Sequence, residues 1–282
     1  LLATPSPSGS EQKIQDVCQQ YAKGFAEDIH KDVHGNQYHV LNPKAKLRVM
    51  LAGHVDEIAL MVNTIDERGY IGFVPIGGVD AHTLPGSRVH IHGAKGPVLG
   101  VIGRKAIHLT PPEDRKKFMD IHEMWIDIGA NSRAEAEKHI AIGDSATVDA
   151  GYAEVLNGRI VGRAIDDRIG AFVVLEALRL MSKMKLNVAV HAVTTVQEEI
   201  GLRGAITAAY GCDPQAAIAV DVSWATDHPN GEANRYGHTK LDGGPILDRG
   251  PNINPVVFDG LLAAAKKQKI AVQRRAMPRG TG

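Results

Sequence analysis

The 282-residue sequence has little cysteine, no excess charge of either sign and no long apolar run. Cys18 and Cys212 show no metal-ligand spacing, which fits free thiols in a reducing compartment better than a disulfide scaffold. The 32 basic and 32 acidic residues balance, so no global field attracts nucleic acid or an anionic membrane. His191 or Asp221 interrupts the longest apolar runs before they reach the roughly 20 residues that span a bilayer. These absences predict a soluble, cytoplasmic protein that binds neither nucleic acid nor membrane.

Segments typical of an α/β fold lie on both sides of a β-rich stretch. Apolar residues recur at helical spacing over 10–28, and the short apolar run at 47–53 predicts a buried strand. Between about 58 and 162, short β-rich runs are separated by frequent glycines. The later part predicts helices at 168–183, 202–210 and 255–269 and strands at 188–196 and 216–222. We therefore predict one α/β domain interrupted by an inserted β domain.

Acidic and imidazole side chains stand at the ends of the three predicted strands and before one predicted helix. In chain order these are His54 and Asp56 after the first strand, Asp166 and Asp167 before the helix, Glu198 and Glu199 after the second strand, and Asp221 in the third. Open α/β sheets place their sites at the carboxyl ends of their strands. We therefore expect these side chains to converge.

Each residue taken singly has a structural interpretation. His54 is compatible with a hydrogen-bonded core histidine, and Asp167 with the N-cap of the helix that follows it. Glu198 and Glu199 are compatible with a solvated acidic turn, and Asp221 with an acceptor for backbone amides. The structural interpretations conflict only when the residues are taken together, because a buried, unpaired charge costs several kcal/mol.

Five of the converging carboxylates need a cation between them, namely Asp56, Asp166, Glu198, Glu199 and Asp221. Arg168 and Arg203 are the nearby cations in the sequence, and two charges do not balance five. Two divalent ions do. Imidazole and carboxylate donors without thiolates suit Zn, Co or Mn better than calcium or a structural zinc site. A co-catalytic ion pair also needs an unligated base, and the adjacent Glu198 and Glu199 can divide the roles of base and ligand.

At these residues the sequence resembles the tetrahedral aminopeptidases, a family of co-catalytic metallopeptidases that includes glutamyl and deblocking aminopeptidases. The resemblance covers nearly the whole chain and rests on five motifs taken as a set. They are GHVDEIALMV at 53–62, FVPIGGVD at 73–80, GRAIDDRIGA at 162–171, TVQEEIGLRGA at 195–205 and IAVDV at 218–222.

The resemblance implies an architecture. It implies an α/β peptidase domain with a mixed sheet flanked by helices, formed by residues 1–60 and 162–282. It also implies an inserted all-β, barrel-like domain at 61–161 that serves oligomerisation. A homo-oligomer is therefore expected, in the family commonly a tetrahedral particle of twelve subunits.

The resemblance also implies an activity, which is hydrolysis of the first residue from short peptides with a free N-terminus. Two divalent ions, zinc or cobalt, would be the cofactors. The implied metal ligands are His54, Asp166, Glu199 and Asp221. Asp166 bridges the two ions, Glu198 is the general base, and Asp56 is the catalytic acid that supports and orients His54.

Family members continue past the region that matches RAMPRGTG and supply a later histidine to the second ion, whereas this sequence stops at Gly282. We therefore expect the last ligand and part of the α/β domain beyond Gly282, and further residues before Leu1. A chain that lacked this ligand would be an inactive scaffold or assembly subunit. A glycoside hydrolase, which needs two carboxylates and no metal, is the other alternative.

Overall fold

A mixed five-stranded sheet organises residues 1–221 in the computed structural model, which describes residues 1–113, 115 and 119–278. In spatial order its strands are β1 (Asp28–Lys31), β2 (Gln37–Leu41), β12 (Ala189–Thr195), β3 (Arg48–His54) and β13 (Ala216–Ala219). The strands β12, β3 and β13 run parallel, whereas β2 is antiparallel to both of its neighbours. The three parallel strands therefore end at the same edge of the sheet.

Helices cover both faces of this sheet. Along β3, Met50 and Leu51 point to opposite faces because side chains alternate along a strand. Leu51 packs in the cluster that contains α3 (Ile165–Met181), and α1 (Gln12–Ala22) packs beside α3. Met50 packs with α4 (Arg203–Cys212) on the other face. The predicted α/β architecture with a flanked mixed sheet is confirmed.

A closed antiparallel barrel of six strands lies in the chain between β3 and α3. In order around the barrel its strands are β4 (Ala59–Ile65), β5 (Ile71–Ile76), β8 (Met124–Asp127), β7 (Gly96–Arg104), β6 (Arg88–Gly93) and β9 (Ser145–Val148). Leu60, Ile71 and Ile91 belong to an apolar core with almost no solvent exposure. The predicted barrel-like insertion is therefore confirmed as a feature of the fold.

Shorter elements complete the part of the chain up to Asp221. The helix α2 (Arg133–Ala136) begins after Ser132, whose hydroxyl accepts a hydrogen bond from the amide of Glu135. A hairpin of β10 (Ala153–Val155) and β11 (Arg159–Val161) leads from the barrel towards α3. Both cysteines, Cys18 and Cys212, are buried free thiols, as predicted.

Residues from Val222 onwards form a second compact unit. Its elements are α5 (Ala233–Tyr236), β14 (Ile246–Arg249), α6 (Pro255–Gln268) and β15 (Gln273–Ala276). The side chain of Asn254 caps α6 by accepting hydrogen bonds from the amides of Val256 and Val257, and β14 pairs with β15 in parallel.

The domain division into 1–60 with 162–282 and 61–161 stays a prediction, and its residues 279–282 lie outside the described part of the chain. Within the described residues, no helix combines the length and apolar character that crossing a bilayer requires.

Candidate metal centre

The predicted site residues meet where the three parallel strands end. β3 ends at His54, and β12 leads into the turn that carries Glu198 and Glu199. β13 ends at Ala219, two residues before Asp221. Asp166 stands at the start of α3, where its backbone is not yet helical.

Two groups of potential metal ligands share His54. One group adds Asp166 and Asp221, and the other adds Glu198 and Glu199. In each group, one ligand atom from every residue lies within 4.8 Å of the others. Nε2 of His54 is 3.1 Å from Oδ1 of Asp166 and 3.8 Å from Oε2 of Glu198. The sequence-predicted ligands and the predicted base therefore lie within one cluster.

Two glycines allow α3 to approach the end of β3 closely. A Cβ atom at Gly53 would lie 2.6 Å from the backbone nitrogen of Ala171, and one at Gly170 would lie 2.5 Å from the carbonyl oxygen of Val220. Real Cβ atoms essentially never make contacts this short with backbone atoms. The absence of these two side chains therefore lets the start of α3 reach the edge of the sheet.

Asp167 links α3 to the histidine strand. Its buried carboxylate accepts hydrogen bonds from the amide of Gly170 (2.9 Å) and from the amide of His54 (3.2 Å). Burial raises the pKa of Asp167 to about 8, with the positive charge of His54 opposing the increase and the negative charge of Asp221 adding to it. The bond to Gly170 agrees with the capping interpretation of Asp167, and the bond to His54 was not foreseen from the sequence.

Asp56 holds two parts of the centre together. Its Oδ1 lies 3.3 Å from Nδ1 of His54, in an ion pair rather than a regular hydrogen bond. Its two oxygens accept hydrogen bonds from the amides of Glu198 (3.0 Å) and Glu199 (3.1 Å) and from the hydroxyl of Ser8 (2.6 Å). Burial alone raises the pKa of Asp56, but His54 and these donors outweigh burial and lower it. Asp56 is therefore an ionised carboxylate that orients its neighbours.

The remaining charges show an excess of negative groups. Burial alone lowers the pKa of His54, yet Asp166 and Asp56 outweigh burial and raise it to about 11. Burial, followed by the charge of Asp166, raises the pKa of Glu199 to about 7. Burial also raises the pKa of Glu198, with the charge of His54 opposing it. The cluster thus favours bound positive charge.

Two neighbouring arginines form ion pairs with Glu57, which belongs to neither ligand group. Arg168, which is 1% exposed, pairs with Glu57 at 3.1 Å and also donates to the backbone carbonyls of Leu1 and Thr4. Arg163 pairs with the same Glu57. In the sequence Arg168 stands near the five acids without being able to balance them, and in the structure it pairs with Glu57 instead.

The centre fits divalent metal ions by the chemistry of its donors. It combines one imidazole with carboxylates and no thiolate, a set that suits zinc, cobalt or manganese. The imidazole also faces an orienting carboxylate with its other nitrogen, which is the usual arrangement around a metal-binding histidine. Ser8 and Glu11, which support this arrangement from outside, were not predicted because they follow no strand and match no ligand spacing. Glu57 does follow β3, but the sequence assigned it no role.

Known proteins resemble this chain in both sequence and fold. A family model described as M42 glutamyl aminopeptidase matches residues 35–282. Lysyl aminopeptidase from Pyrococcus furiosus is 35% identical over 285 aligned residues, which cover 100% of this chain and 81% of that protein.

Solved structures agree with this likeness. The TET aminopeptidase from a marine sediment archaeon of the Thaumarchaeota has a TM-score of 0.93 at 34% identity, covering 99% of this chain and 80% of that one. The TET1 peptidase of Pyrococcus horikoshii, which can assemble into a tetrahedron or a large octahedral shell, has a TM-score of 0.87 at 31% identity, covering 99% and 83%.

Proposed function

Since the chain belongs to the M42 glutamyl aminopeptidase family and is a peptidase, we propose that it removes the first residue from short peptides with the help of two divalent metal ions. The single observation that carries this proposal is the pair of ligand groups that share His54 at the end of the parallel strands. A site with two overlapping ligand groups suits a co-catalytic ion pair better than one structural ion.

The family resemblance suggests a role for each proposed ligand. His54 and Asp221 would hold one ion, Glu199 would hold the other, and Asp166 would serve both. Oδ1 of Asp166 lies 3.1 Å from Nε2 of His54, so the Asp166 carboxylate is within reach of the ion that His54 would hold. Zinc and cobalt are the proposed ions, since both accept imidazole and carboxylate donors.

When bound, the ion pair supplies Lewis-acid chemistry that activates water and polarises the scissile carbonyl. The chain's own contribution to proton transfer is Glu198, which accepts the proton of the attacking water and delivers it to the leaving amine. The raised pKa of Glu198 favours this exchange, because a base works best when its pKa approaches the working pH. Asp56 keeps the Glu198 turn and the His54 ring in fixed relation through the contacts described above.

The proposed substrates are short peptides with a free N-terminus, because acidic groups around the centre attract an ammonium group. We also propose a homo-oligomer, supported by the likeness to a peptidase that forms tetrahedral and octahedral shells. Light scattering of the purified protein measures this directly, and a mass equal to the 30.2 kDa chain would contradict assembly.

A panel of aminoacyl chromogenic substrates, assayed before and after chelation, tests the proposed activity. Hydrolysis should disappear when EDTA removes the metal and return when zinc or cobalt is added. Cleavage of oligosaccharides that survives chelation would instead support a glycoside hydrolase. Protein that binds metal but cleaves no peptide would support the inactive-scaffold alternative.

A further inference from the structure

The 6–11 segment, which comprises residues 6–11 ahead of α1, lies against the two carboxylates that follow His54. The amide of Ser6 donates to Oε1 of Glu57 (2.7 Å), and the backbones of Pro7 and Glu57 form a parallel bridge. The hydroxyl of Ser6 donates to the carbonyl of Val55 (2.8 Å). These contacts fix the segment along the chain that leaves β3.

Two side chains of the segment reach the metal centre's supports. The hydroxyl of Ser8 donates to Oδ2 of Asp56 at 2.6 Å. Oε1 of Glu11 accepts the amides of Gly9 (2.7 Å) and Gln197 (3.1 Å). Gln197 has a φ of 53°, in the left-handed region that an ordinary residue rarely adopts, so this turn needs outside support.

The carboxylate of Asp56 already faces four partners. An ionised carboxylate offers about four lone-pair sites. Oδ1 faces His54 and the amide of Glu198, and Oδ2 faces the hydroxyl of Ser8 and the amide of Glu199. Because Asp56 is fully buried, water does not replace a lost donor without entering the core. Loss of the Ser8 hydroxyl therefore changes the balance of contacts that orients the other three groups.

We propose that Ser8 is a positioning residue of the metal centre, acting through Asp56 on His54 and on the Glu198–Glu199 turn, with Glu11 supporting the same turn at Gln197. This inference rests on the proposed function. Groups that contact a metal ligand directly, as Asp56 contacts His54, contribute about 10- to 100-fold to metal affinity or activity, and Ser8 acts one contact further out. Ser8 should therefore affect kcat and metal binding and leave KM for the peptide unchanged.

Ser8→Ala and Ser6→Ala form a matched pair for the test. Both serines are buried in the same segment and lose the same hydroxyl, but Ser6 donates to a backbone carbonyl and touches no carboxylate of the centre with that group. The full chain of each variant is stripped of metal and titrated with cobalt(II), with calorimetry for affinity and the visible absorption spectrum for ligand geometry. Steady-state peptide hydrolysis is then measured at saturating cobalt(II).

Ser8→Ala should lower kcat or cobalt affinity by about 10-fold, the lower end of the range for groups that contact a ligand directly, and alter the cobalt spectrum, while Ser6→Ala stays like wild type in all three. Equal effects of the two substitutions, or an unaltered spectrum with unaltered affinity in Ser8→Ala, would overturn the inference. If Ser8→Ala does not fold, Ser8→Thr and Ser8→Val decide, because they share a shape and differ in the hydroxyl. Equal kcat and affinity in that pair would also overturn it.

The proposed function fails in a different way from this inference. If wild type neither binds cobalt(II) nor hydrolyses peptides after reconstitution, the peptidase proposal itself is wrong. If wild type does both and Ser8→Ala matches Ser6→Ala, only the positioning role is wrong.

Discussion

Glu198 and Glu199 carry the same side chain and donate their amides to the same aspartate, yet we propose different roles for them. Glu198→Gln keeps the shape of the side chain and removes its ability to accept a proton. We expect kcat to fall by about 10² to 10⁴ fold, the usual contribution of positioned proton transfer, with metal content unchanged. Peptide hydrolysis and metal analysis of the same sample measure both.

The adjacent residue provides the control for that prediction. Glu199→Gln should weaken metal binding, because an amide oxygen is a poorer ligand than a carboxylate. A Glu198→Gln protein that turns over peptide at the wild-type rate would show that Glu198 is not the base. Loss of metal from Glu198→Gln rather than Glu199→Gln would mean that the two roles are reversed.

The buried His39 should make the stability of the folded chain depend on pH. It is fully buried in β2, where Nδ1 lies 3.2 Å from the carbonyl oxygen of Ala192, and burial lowers its pKa from 6.5 to about 4. As the pH falls, the His39 ring is therefore protonated near pH 6.5 in the unfolded chain but only near pH 4 in the folded chain. Neutral His39 therefore does not reduce the unfolding free energy above pH 6.5. As the pH falls from 6.5 towards 4, protonation of the unfolded chain lowers the unfolding free energy.

His39→Asn isolates this effect, because the asparagine amide retains a donor near Nδ1 and does not titrate. Between pH 7 and 4, wild type should lose up to about 3 kcal/mol more unfolding free energy than the variant, since one pKa unit corresponds to about 1.4 kcal/mol. Urea unfolding at several pH values measures this difference. Parallel pH profiles for wild type and His39→Asn would contradict the prediction, and substitution of the exposed His108 by asparagine provides the control.

At the residue scale, the sequence predicts a site residue when a charged group stands at the end of a predicted strand or the start of a predicted helix. His54, Glu198 and Asp166 carry the signal of charged groups beside apolar runs, and the structure brings them together. Ser8 lies in a Pro-Ser-Pro-Ser-Gly stretch with no periodic signal. Its contact with Asp56 spans 48 positions in the sequence, so local pattern does not reveal it.

At the scale of secondary-structure elements, Gly53 tests how closely α3 must approach β3. In Gly53→Ala the new Cβ would lie 2.6 Å from backbone atoms of Gly170 and Ala171, which are not free to rotate away. We expect a loss of about 1 to 3 kcal/mol of unfolding free energy, typical of overpacking, together with weaker metal binding. Urea unfolding and cobalt titration measure the two effects.

Gly24→Ala is the matched control for Gly53→Ala. Nothing lies within 4 Å of a Cβ built at Gly24, and its φ is not positive. This control should therefore keep wild-type stability and metal affinity. If Gly53→Ala behaves like Gly24→Ala, the close approach of α3 is not what positions Asp166.

Element predictions succeeded where one signal dominated and failed where two competed. The buried run predicted at 47–53 became β3 within one residue, because strong apolar character and a terminal glycine agree. The helix predicted over 10–28 ends at Ala22 instead, and residues 28–31 form β1. Residues after Ala22 pair with β2, so tertiary pairing outweighed the local helical spacing.

At the scale of the whole molecule, bound metal should stabilise the fold that holds it. A ligand present at 100 times its Kd stabilises the native state by about 2.7 kcal/mol. For a chain of this size each kcal/mol shifts Tm by about 2 to 4 °C. We therefore expect chelation to lower Tm by roughly 5 to 10 °C per tightly bound ion.

Differential scanning calorimetry of metal-loaded and chelated protein measures this shift. His54→Ala should show a smaller chelator-induced shift than wild type, because it lacks a ligand of one of the two proposed ions. An equal chelator effect on wild type and His54→Ala would mean that the stabilising metal binds elsewhere.

The architecture could be predicted from the sequence because the pattern of predicted elements changes twice along the chain, from α/β to β-rich and back. Apolar runs with charged ends at 47–57 and 188–199 predict an α/β sheet, and the β runs between them, which are separated by glycines, predict the inserted β domain. Closure of the barrel could not be predicted, because it depends on pairing between β4 and β9, whose partners lie about 85 residues apart. The parallel pairing of β14 with β15 was not predicted either, because its partners are also separated in the sequence.

The most direct measurement is a stepwise titration of metal-free protein with cobalt(II), in which bound metal and peptide hydrolysis are followed in the same sample. Two equivalents per chain should bind in wild type, hydrolysis should rise as they bind, and His54→Ala should lose one equivalent of bound metal together with hydrolysis. Full hydrolysis in the metal-free sample, or unchanged binding in His54→Ala, would contradict a two-metal centre at the ends of β3, β12 and β13.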